Sequence, residues 1–213
     1  AQMFRYTNSF KEARFLRAYL YFSLVRAYGD VPYFTEMVTT DQVNSLTRTP
    51  AQEIFNAIIA ECDKLSTELP ADYTKLGLDG IAPAENGRVT CYAALALKAR
   101  AALYAASPLF NPENNKDLWR RAAEANKEVI ETCTANGFKL SKYSELWGPN
   151  NWSNNEMIFV RRYNGNISTL EEYNFPMGVP GGNSGNCPTQ NMVDAYEMKA
   201  TGKMWNETGS GYH

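Results

Sequence analysis

The sequence predicts a mainly α-helical fold with a loop-rich segment towards its end. Four stretches within the first 135 residues carry apolar side chains at helical spacing, bounded by residues that start or stop helices. After residue 138, nine of the fourteen glycines and three of the four tryptophans occur. We therefore predict a helical scaffold over 1–138 and a loop-rich, aromatic-rich ligand-recognition segment with short strands over 139–213.

The first two helices have clear boundary signals. The first is predicted over 10–28, because its apolar residues keep helical spacing and Gly29 then stops it. The second is predicted to start with Thr49 as N-cap, Pro50 in the first helical position and Gln52 completing a capping box. Both are predicted to pack as core helices.

The third helix follows Thr90, is dominated by alanine and ends at Pro108. Its small side chains let other helices approach closely, which predicts a central position. The fourth is predicted over 117–134. Paired helices of this length, in which small alanines alternate with bulky aromatics, indicate tetratricopeptide-like helix hairpins.

Fewer regular elements are predicted in the last third. Residues 156–162 have the composition of a short strand. A short helix is predicted with Thr189 as its cap and with Met192, Val193 and Tyr196 facing inward. Loops carried by a helical scaffold are where recognition residues usually lie.

Charge and histidine content narrow the function. The net charge is −2 with scattered basic residues, so nucleic acid is not a predicted partner. No run of 18 apolar residues predicts a membrane-spanning helix. The single histidine is His213, so catalysis by a histidine-containing triad or dyad and the common zinc sites are not predicted. We predict a binding protein without catalytic residues, metal or cofactor.

The four cysteines, Cys62, Cys91, Cys133 and Cys187, have no metal-ligand spacing. The first three lie in helical patterns, where cysteine usually serves as a small buried residue. Free thiols are predicted, and a Cys91–Cys133 bridge between neighbouring helices stays open.

Three motifs resemble those of the SusD/RagB family and follow the order that the family has. The first is similar to its signature helix, the second to its central helix and exit, and the third to a later segment. They are residues 12–32 (EARFLRAYLYFSLVRAYGDVP), 87–111 (GRVTCYAALALKARAALYAASPLFN) and 188–197 (PTQNMVDAYE).

The resemblance implies a SusD-like fold and a surface-exposed lipoprotein of the outer membrane in Bacteroidetes-type bacteria. Such proteins bind oligosaccharides, or peptides in some branches, and pass them to a SusC-like TonB-dependent barrel transporter. The sequence lacks the secretion signal, the lipidated cysteine and the family's C-terminal half. We therefore expect a fragment of one SusD-like domain, incomplete at both ends, with the lipid anchor outside it.

The predicted ligand-binding residues are aromatic. Sugar rings present apolar C–H faces and a rim of hydroxyls, which flat aromatic rings and side-chain amides complement. The candidates, set among asparagines in the last third, are Trp147, Trp152, Tyr173 and Trp205. Alternatively, each ring pins a loop to the scaffold. Peptide capture and a tetratricopeptide-type protein-interaction scaffold stay open as functions, and a glycosidase would need two carboxyl groups across a cleft.

Overall fold

The computed structural model describes residues 2–73, 87–147, 154–161 and 173–212. Within these ranges the chain forms six α-helices and one 3₁₀ turn at Tyr143–Glu145. The helices are α1 (Gln2–Tyr28), α2 (Thr40–Val43), α3 (Ala51–Glu68), α4 (Cys91–Ala106), α5 (Lys116–Ala135) and α6 (Gln190–Asp194). The prediction of a mainly helical fold is confirmed. None of the helices in the described ranges is long and apolar enough to cross a bilayer.

The four long helices α1, α3, α4 and α5 correspond to the four predicted ones, although α1 starts earlier than predicted. The short α2 was not predicted. The predicted strand at 156–162 is wrong, since residues 156–161 form turns and bends, and residue 162 lies outside the described residues. The side chain of Asn154 explains the difference: its Oδ1 accepts a hydrogen bond from the Glu156 amide (2.9 Å), which turns the backbone where a strand would begin.

The predicted N-cap of α3 is also wrong. The Thr49 amide instead donates to the carbonyl of Val31 (3.0 Å) in an isolated antiparallel bridge. The first helical amide, that of Ala51, donates to Oδ1 of Asp30 at 2.7 Å. The cap of α3 therefore comes from the segment that follows α1, twenty-one residues earlier.

The Gln52 side chain does not complete a capping box either. Its Nε2 donates to the carbonyls of Ala105 (2.7 Å) and Phe110 (2.8 Å). These carbonyls lie at the end of α4 and just beyond it, where no following helical turn supplies backbone N–H donors. Gln52 thus fastens α3 to the exit of α4.

The helices α1, α3, α4 and α5 pack so that α4 lies between α3 and α5. The predicted central position of α4 is confirmed. Small residues of α4 are buried against α3 on one side and against α5 on the other. The buried alanines are Ala93, Ala94, Ala99, Ala101, Ala102, Ala105 and Ala106. Larger rings from α1 and α3, among them Phe15, Phe22 and Phe55, fill the space that these alanines leave.

The first and second motifs meet at one ion pair. Arg88 donates to both carboxylate oxygens of Glu12, with Nε–Oε1 at 2.9 Å and Nη2–Oε2 at 2.7 Å. Its guanidinium carbon lies 4.5 Å from the centroid of the Tyr73 ring, and the Tyr73 hydroxyl donates to the Val89 carbonyl at 2.9 Å. Both motifs therefore have a structural role in joining α1 to the start of α4.

The chain forms two compact units, 1–162 and 163–213. In the second unit, the Thr189 hydroxyl accepts from the Met192 amide at 3.4 Å, which confirms the predicted cap of α6. The inward orientation predicted for Met192, Val193 and Tyr196 is wrong, because all three are exposed. A five-residue helix buries an apolar face only where another segment covers it, and no described segment of this unit does so.

The cysteine thiols differ in accessibility. Cys62 and Cys133 are buried, Cys91 is half-buried and Cys187 is exposed. Burial, as the largest cause, raises the pKa of Cys62 to about 12. Because the thiolate is the reactive form, a rise from the ordinary value near 9 lowers its population at pH 8 by roughly a thousandfold.

We therefore expect iodoacetamide at pH 8 to alkylate Cys187 of the native protein rapidly and to leave Cys62 unmodified until the protein is unfolded. Peptide mapping of time points by mass spectrometry measures both rates. The matched control is the same reaction in denaturant, where the two thiols should react at similar rates. Equal rates in the native protein would contradict the burial of Cys62.

Candidate ligand-binding site

The 3₁₀ turn carries two exposed aromatic rings. Tyr143 and Trp147 are 76% and 69% exposed. Their ring centroids lie 5.9 Å apart and their planes meet at 64°. Trp147 lies two residues beyond the 3₁₀ turn, where the chain folds back so that its ring meets that of Tyr143. This first aromatic pair, Tyr143–Trp147, leaves a wide apolar surface in contact with water.

Hydrogen bonds fix the base of this turn. The Ser141 amide donates to Oε2 of Glu156 (2.8 Å), and the Ser141 hydroxyl donates to Oδ1 of Asn154 (2.6 Å). The Lys139 amide donates to the Asn155 carbonyl at 3.3 Å. Residues 154–156 thus hold the segment that carries the first aromatic pair, so little conformational entropy remains to be lost when a ligand binds.

A second aromatic pair, Trp205–Tyr212, lies in the second unit. The two rings are 41% and 62% exposed, with centroids 5.9 Å apart and planes at 70°. The buried Ser210 brings them together. Its hydroxyl donates to the Trp205 carbonyl (3.0 Å) and accepts from the Tyr212 amide (3.3 Å), while its own carbonyl accepts from the Thr201 hydroxyl (2.8 Å).

The Tyr173 ring is also exposed and lies at one end of a closed loop. The loop is held by two backbone bonds, from Asn186 to Tyr173 (2.9 Å) and from Ser184 to Phe175 (3.0 Å). A Cβ atom at Gly185 would collide with the Tyr173 ring. The ring therefore packs on glycine backbone, and only glycine fits at 185 without displacing it.

Three of the four predicted residues, Trp147, Tyr173 and Trp205, are exposed on hydrogen-bonded turns, and Trp152 lies outside the described residues. Trp147 belongs to the first unit and the other two to the second. Within the described part of the second unit, no ring contact joins Tyr173 to Trp205.

Two further aromatic residues, Tyr143 and Tyr212, were missed. For Tyr143 the sequence carried no periodic signal, because the contact with Trp147 is made across a 3₁₀ turn and not along an α-helix. For Tyr212 no signal exists either, because its pairing with Trp205 depends on the bonds of Ser210.

The first unit also has an open cleft of about 480 Å³ between the segment that follows α1 and the region around α2. Apolar, hydroxyl and amide groups line the cleft, together with the carboxylate of Glu36. The other lining residues include Phe34, Thr35, Met37, Gln42, Ser45 and Leu46. The Tyr21 hydroxyl fixes one wall, since it donates to the Phe34 carbonyl (3.0 Å) and accepts from the Phe34 amide (3.1 Å). The Thr39–Gln42 capping box that starts α2 was a sequence signal for the other wall.

Comparison with known proteins places these features in a family. A family model described as "Starch-binding associating with outer membrane" matches residues 4–103. Two curated SusD-like proteins of Formosa agariphila are 25% identical over 149 residues and 27% identical over 162 residues. These matches cover 70% and 74% of the chain, and the chain spans 24% and 28% of the two relatives.

Solved structures give the same result. A SusD-like protein from Bacteroides fragilis matches 91% of the chain with a TM-score of 0.68 and 28% identity, over 36% of its own length. A SusD-like carbohydrate-binding protein from the same species matches 72% of the chain with a TM-score of 0.55 and 28% identity, over 26% of its length. Surface glycan-binding protein A from Bacteroides uniformis shares the fold at 24% identity, with a TM-score of 0.52 over 70% of the chain and 29% of its own length.

The chain shares its helical scaffold with SusD-like proteins of solved structure. The family-model match, the curated relatives and the solved neighbours all support a protein of the SusD/RagB family, which the three motifs resemble.

Proposed function

We propose that this protein captures oligosaccharides at the outer-membrane surface and delivers them to a SusC-like TonB-dependent transporter, held there by a lipid anchor. The family description, which names starch binding and association with the outer membrane, supports both the ligand class and the location. The B. fragilis neighbour described as carbohydrate-binding supports a glycan ligand. The roles of scaffold for 1–138 and of recognition segment for 139–213 are part of this proposal.

The observation that carries the proposal is the exposure of the two aromatic pairs on fixed turns. Large aromatic rings left in water are costly unless a ligand covers them. In each pair the planes meet at 64–70°, so that ring faces of both residues stay open to sugar C–H groups. Asn206, which follows Trp205 and is exposed, carries an amide group that can donate to and accept from sugar hydroxyl groups. Trp152 and Tyr173 are proposed as further platforms.

The proposed mechanism is binding and release without a chemical step. Rings held by hydrogen bonds bind without much loss of conformational entropy, which gives useful affinity from a small contact area. The affinity has to stay modest, because the ligand must leave for the transporter. The family is one of binding proteins, and the proposal requires no cofactor, metal or catalytic residue.

We expect Trp147→Ala and Trp205→Ala each to weaken saccharide binding about 10- to 30-fold, the usual effect of removing a central tryptophan from a binding surface. Affinity gels and a glycan array with the longest soluble form of the protein measure the affinity, with a peptide panel in parallel. The matched control is Trp119→Ala, because Trp119 is also exposed but lies on α5 with its Nε1 donating to Asn114.

The control should bind like the unmodified protein. Unchanged saccharide binding in both variants would show that these rings are not part of the site. Binding of peptides alone would keep the fold and overturn the ligand class.

A second candidate function is that of a tetratricopeptide-type protein-interaction scaffold, which the outward side of α1 favours. Four large apolar residues at i, i+4 spacing are exposed along this helix: Leu16, Leu20, Leu24 and Tyr28. Such a stripe is typical of a surface that another helix covers. A protein that bound no saccharide and no peptide, but lost a protein partner on Leu20→Glu, would have this function instead.

A further inference from the structure

Two thiols lie at the same end of the α4–α5 hairpin. Cys91 is the first residue of α4 and Cys133 lies in the last turn of α5. The two helices pack against each other. At the other end of the hairpin the Asn111 side chain donates to the carbonyls of Ala106 (3.3 Å) and Asn115 (3.1 Å), which closes the connection.

Two side-chain contacts fix the register of the helices. Nδ2 of Asn126 donates to the Ala99 carbonyl (3.4 Å), and Nζ of Lys98 donates to Oε2 of Glu128 (2.8 Å). Residue numbers rise along α4 as they fall along α5, so the helices run antiparallel. Cys91 lies seven residues before Lys98, and Cys133 lies seven residues after Asn126. Seven residues make about two turns, so each cysteine lies on the same face as the residue that contacts the other helix. The two contacts place Cys91 opposite residues 134–135, about 1.5–3 Å along the axis from Cys133.

Contacts of the residues next to the two cysteines agree with this alignment of α4 and α5. The Tyr92 ring, adjacent to Cys91, meets the Phe138 ring edge-on with centroids 4.9 Å apart. The Phe138 amide donates to the Cys133 carbonyl at 3.0 Å. The start of α4 and the end of α5 are therefore held together by a contact that does not involve either sulfur.

The separation of the helices suits a disulfide. Packed helices have axes about 8–10 Å apart, and alanine-rich contacts lie near the lower limit. The Cα atoms lie about 2.3 Å from each axis, which leaves about 3.4–5.4 Å between Cα atoms of facing residues. A disulfide needs about 4.4–6.8 Å. The two ranges overlap.

We propose that Cys91 and Cys133 form a disulfide that joins the N-terminus of α4 to the C-terminus of α5 under oxidising conditions. The oxidant is a second disulfide, carried by a small molecule or by a disulfide-exchange protein. The family's association with the outer membrane supports an oxidising location. Cys62 lies sealed in the core, so it does not compete for this pairing.

The reaction is two successive exchanges. The Cys91 thiol, which is the more accessible, loses its proton and attacks one sulfur of the donor disulfide, releasing one donor thiolate. The Cys133 thiolate then attacks the Cys91 sulfur and releases the second donor thiolate. The protein loses two protons and two electrons, and the donor disulfide is reduced to two thiols. Burial raises the pKa of both cysteines, so the exchange is slow at neutral pH and faster as the pH rises.

The test is incubation of the full chain with oxidised glutathione at pH 8.5, followed by non-reducing peptide mapping. We expect one cross-linked peptide that joins Cys91 to Cys133, a fall of two in the count of free thiols in the folded core, and a higher midpoint of urea unfolding. The rise should disappear in Cys91→Ser, which changes a half-buried residue and leaves the folded chain intact. It should persist in Cys187→Ser, the matched control.

A chain that carries glutathione at Cys187 while Cys91 and Cys133 both stay reduced would overturn the proposal. So would a stable glutathione adduct at Cys91 that Cys133 does not displace, or a cross-link between another pair. If Cys91→Ser proves unstable, Cys91→Ala gives the same comparison.

Discussion

Replacement of Phe55 by alanine is expected to lower the free energy of unfolding by about 3–5 kcal/mol, the usual cost of removing a buried phenylalanine ring. Phe55 is fully buried on α3. Its ring meets that of Phe110 edge-on at 5.0 Å and lies 6.5 Å from that of Phe22. These partners come from α1 and from the exit of α4, so the cavity would open where three segments meet. Urea unfolding followed by circular dichroism measures the change.

The matched control is Phe10→Ala on α1. Phe10 is 69% exposed, so its removal creates no cavity and should change the free energy of unfolding by about 0.5 kcal/mol or less. Similar losses in the two variants would mean that α3 does not bury Phe55 against these rings.

The second large effect is expected for Arg88→Ala, with a loss of about 3 kcal/mol, the lower end of the range for removing one partner of a buried ion pair. The side chains of Arg88 and Glu12 are only 18% and 15% exposed. Without the guanidinium, the Glu12 carboxylate stays mostly buried, and the nearby Tyr73 hydroxyl (3.2 Å) is already engaged in donating its one proton to the Val89 carbonyl (2.9 Å). The Tyr73 ring also loses its cation–π contact. Chemical denaturation measures the loss.

A double-mutant cycle makes this prediction specific. In a Glu12→Gln background the cost of Arg88→Ala should fall, because no unpaired charge is left behind. Arg120→Ala is the matched surface control. Arg120 pairs with the exposed carboxylates of Asp117 and Glu124 along α5, so its removal should cost about 0.5 kcal/mol or less. An unchanged cost of Arg88→Ala in the two backgrounds would show that the pair with Glu12 contributes nothing.

The long helices could be predicted from the sequence because their apolar residues repeat with the helical period over many turns. The central position of α4 could be predicted from its alanines, because a helix with such small side chains packs best between other helices. The four residues of α2 are too few to show a period. The cap of α3 could not be predicted, because Asp30 reaches the Ala51 amide only after the chain has turned at Gly29, past the end of α1. A contact between residues this far apart in the sequence leaves no local pattern at the start of α3.

The site was predictable only in its residue types. Tryptophan among asparagines suggested Trp147 and Trp205, and the structure finds both exposed. Their role in binding stays a prediction. Their partner Tyr212 and the walls of the cleft depend on hydrogen bonds between residues that no sequence period relates, such as those of Ser210 and Tyr21. Periodicity indicates which residues a helix buries, but it does not indicate which loops meet.

The capping of α3 by Asp30 has a consequence for the order of folding. In the eighteen-residue helix α3, the nucleation of the first turn is the unfavourable step. Here the group that satisfies this first turn is delivered by the chain leaving α1, and the Val31–Thr49 bridge closes the loop between them. We therefore expect the first turn of α3 to form together with the chain that leaves α1 and not before it.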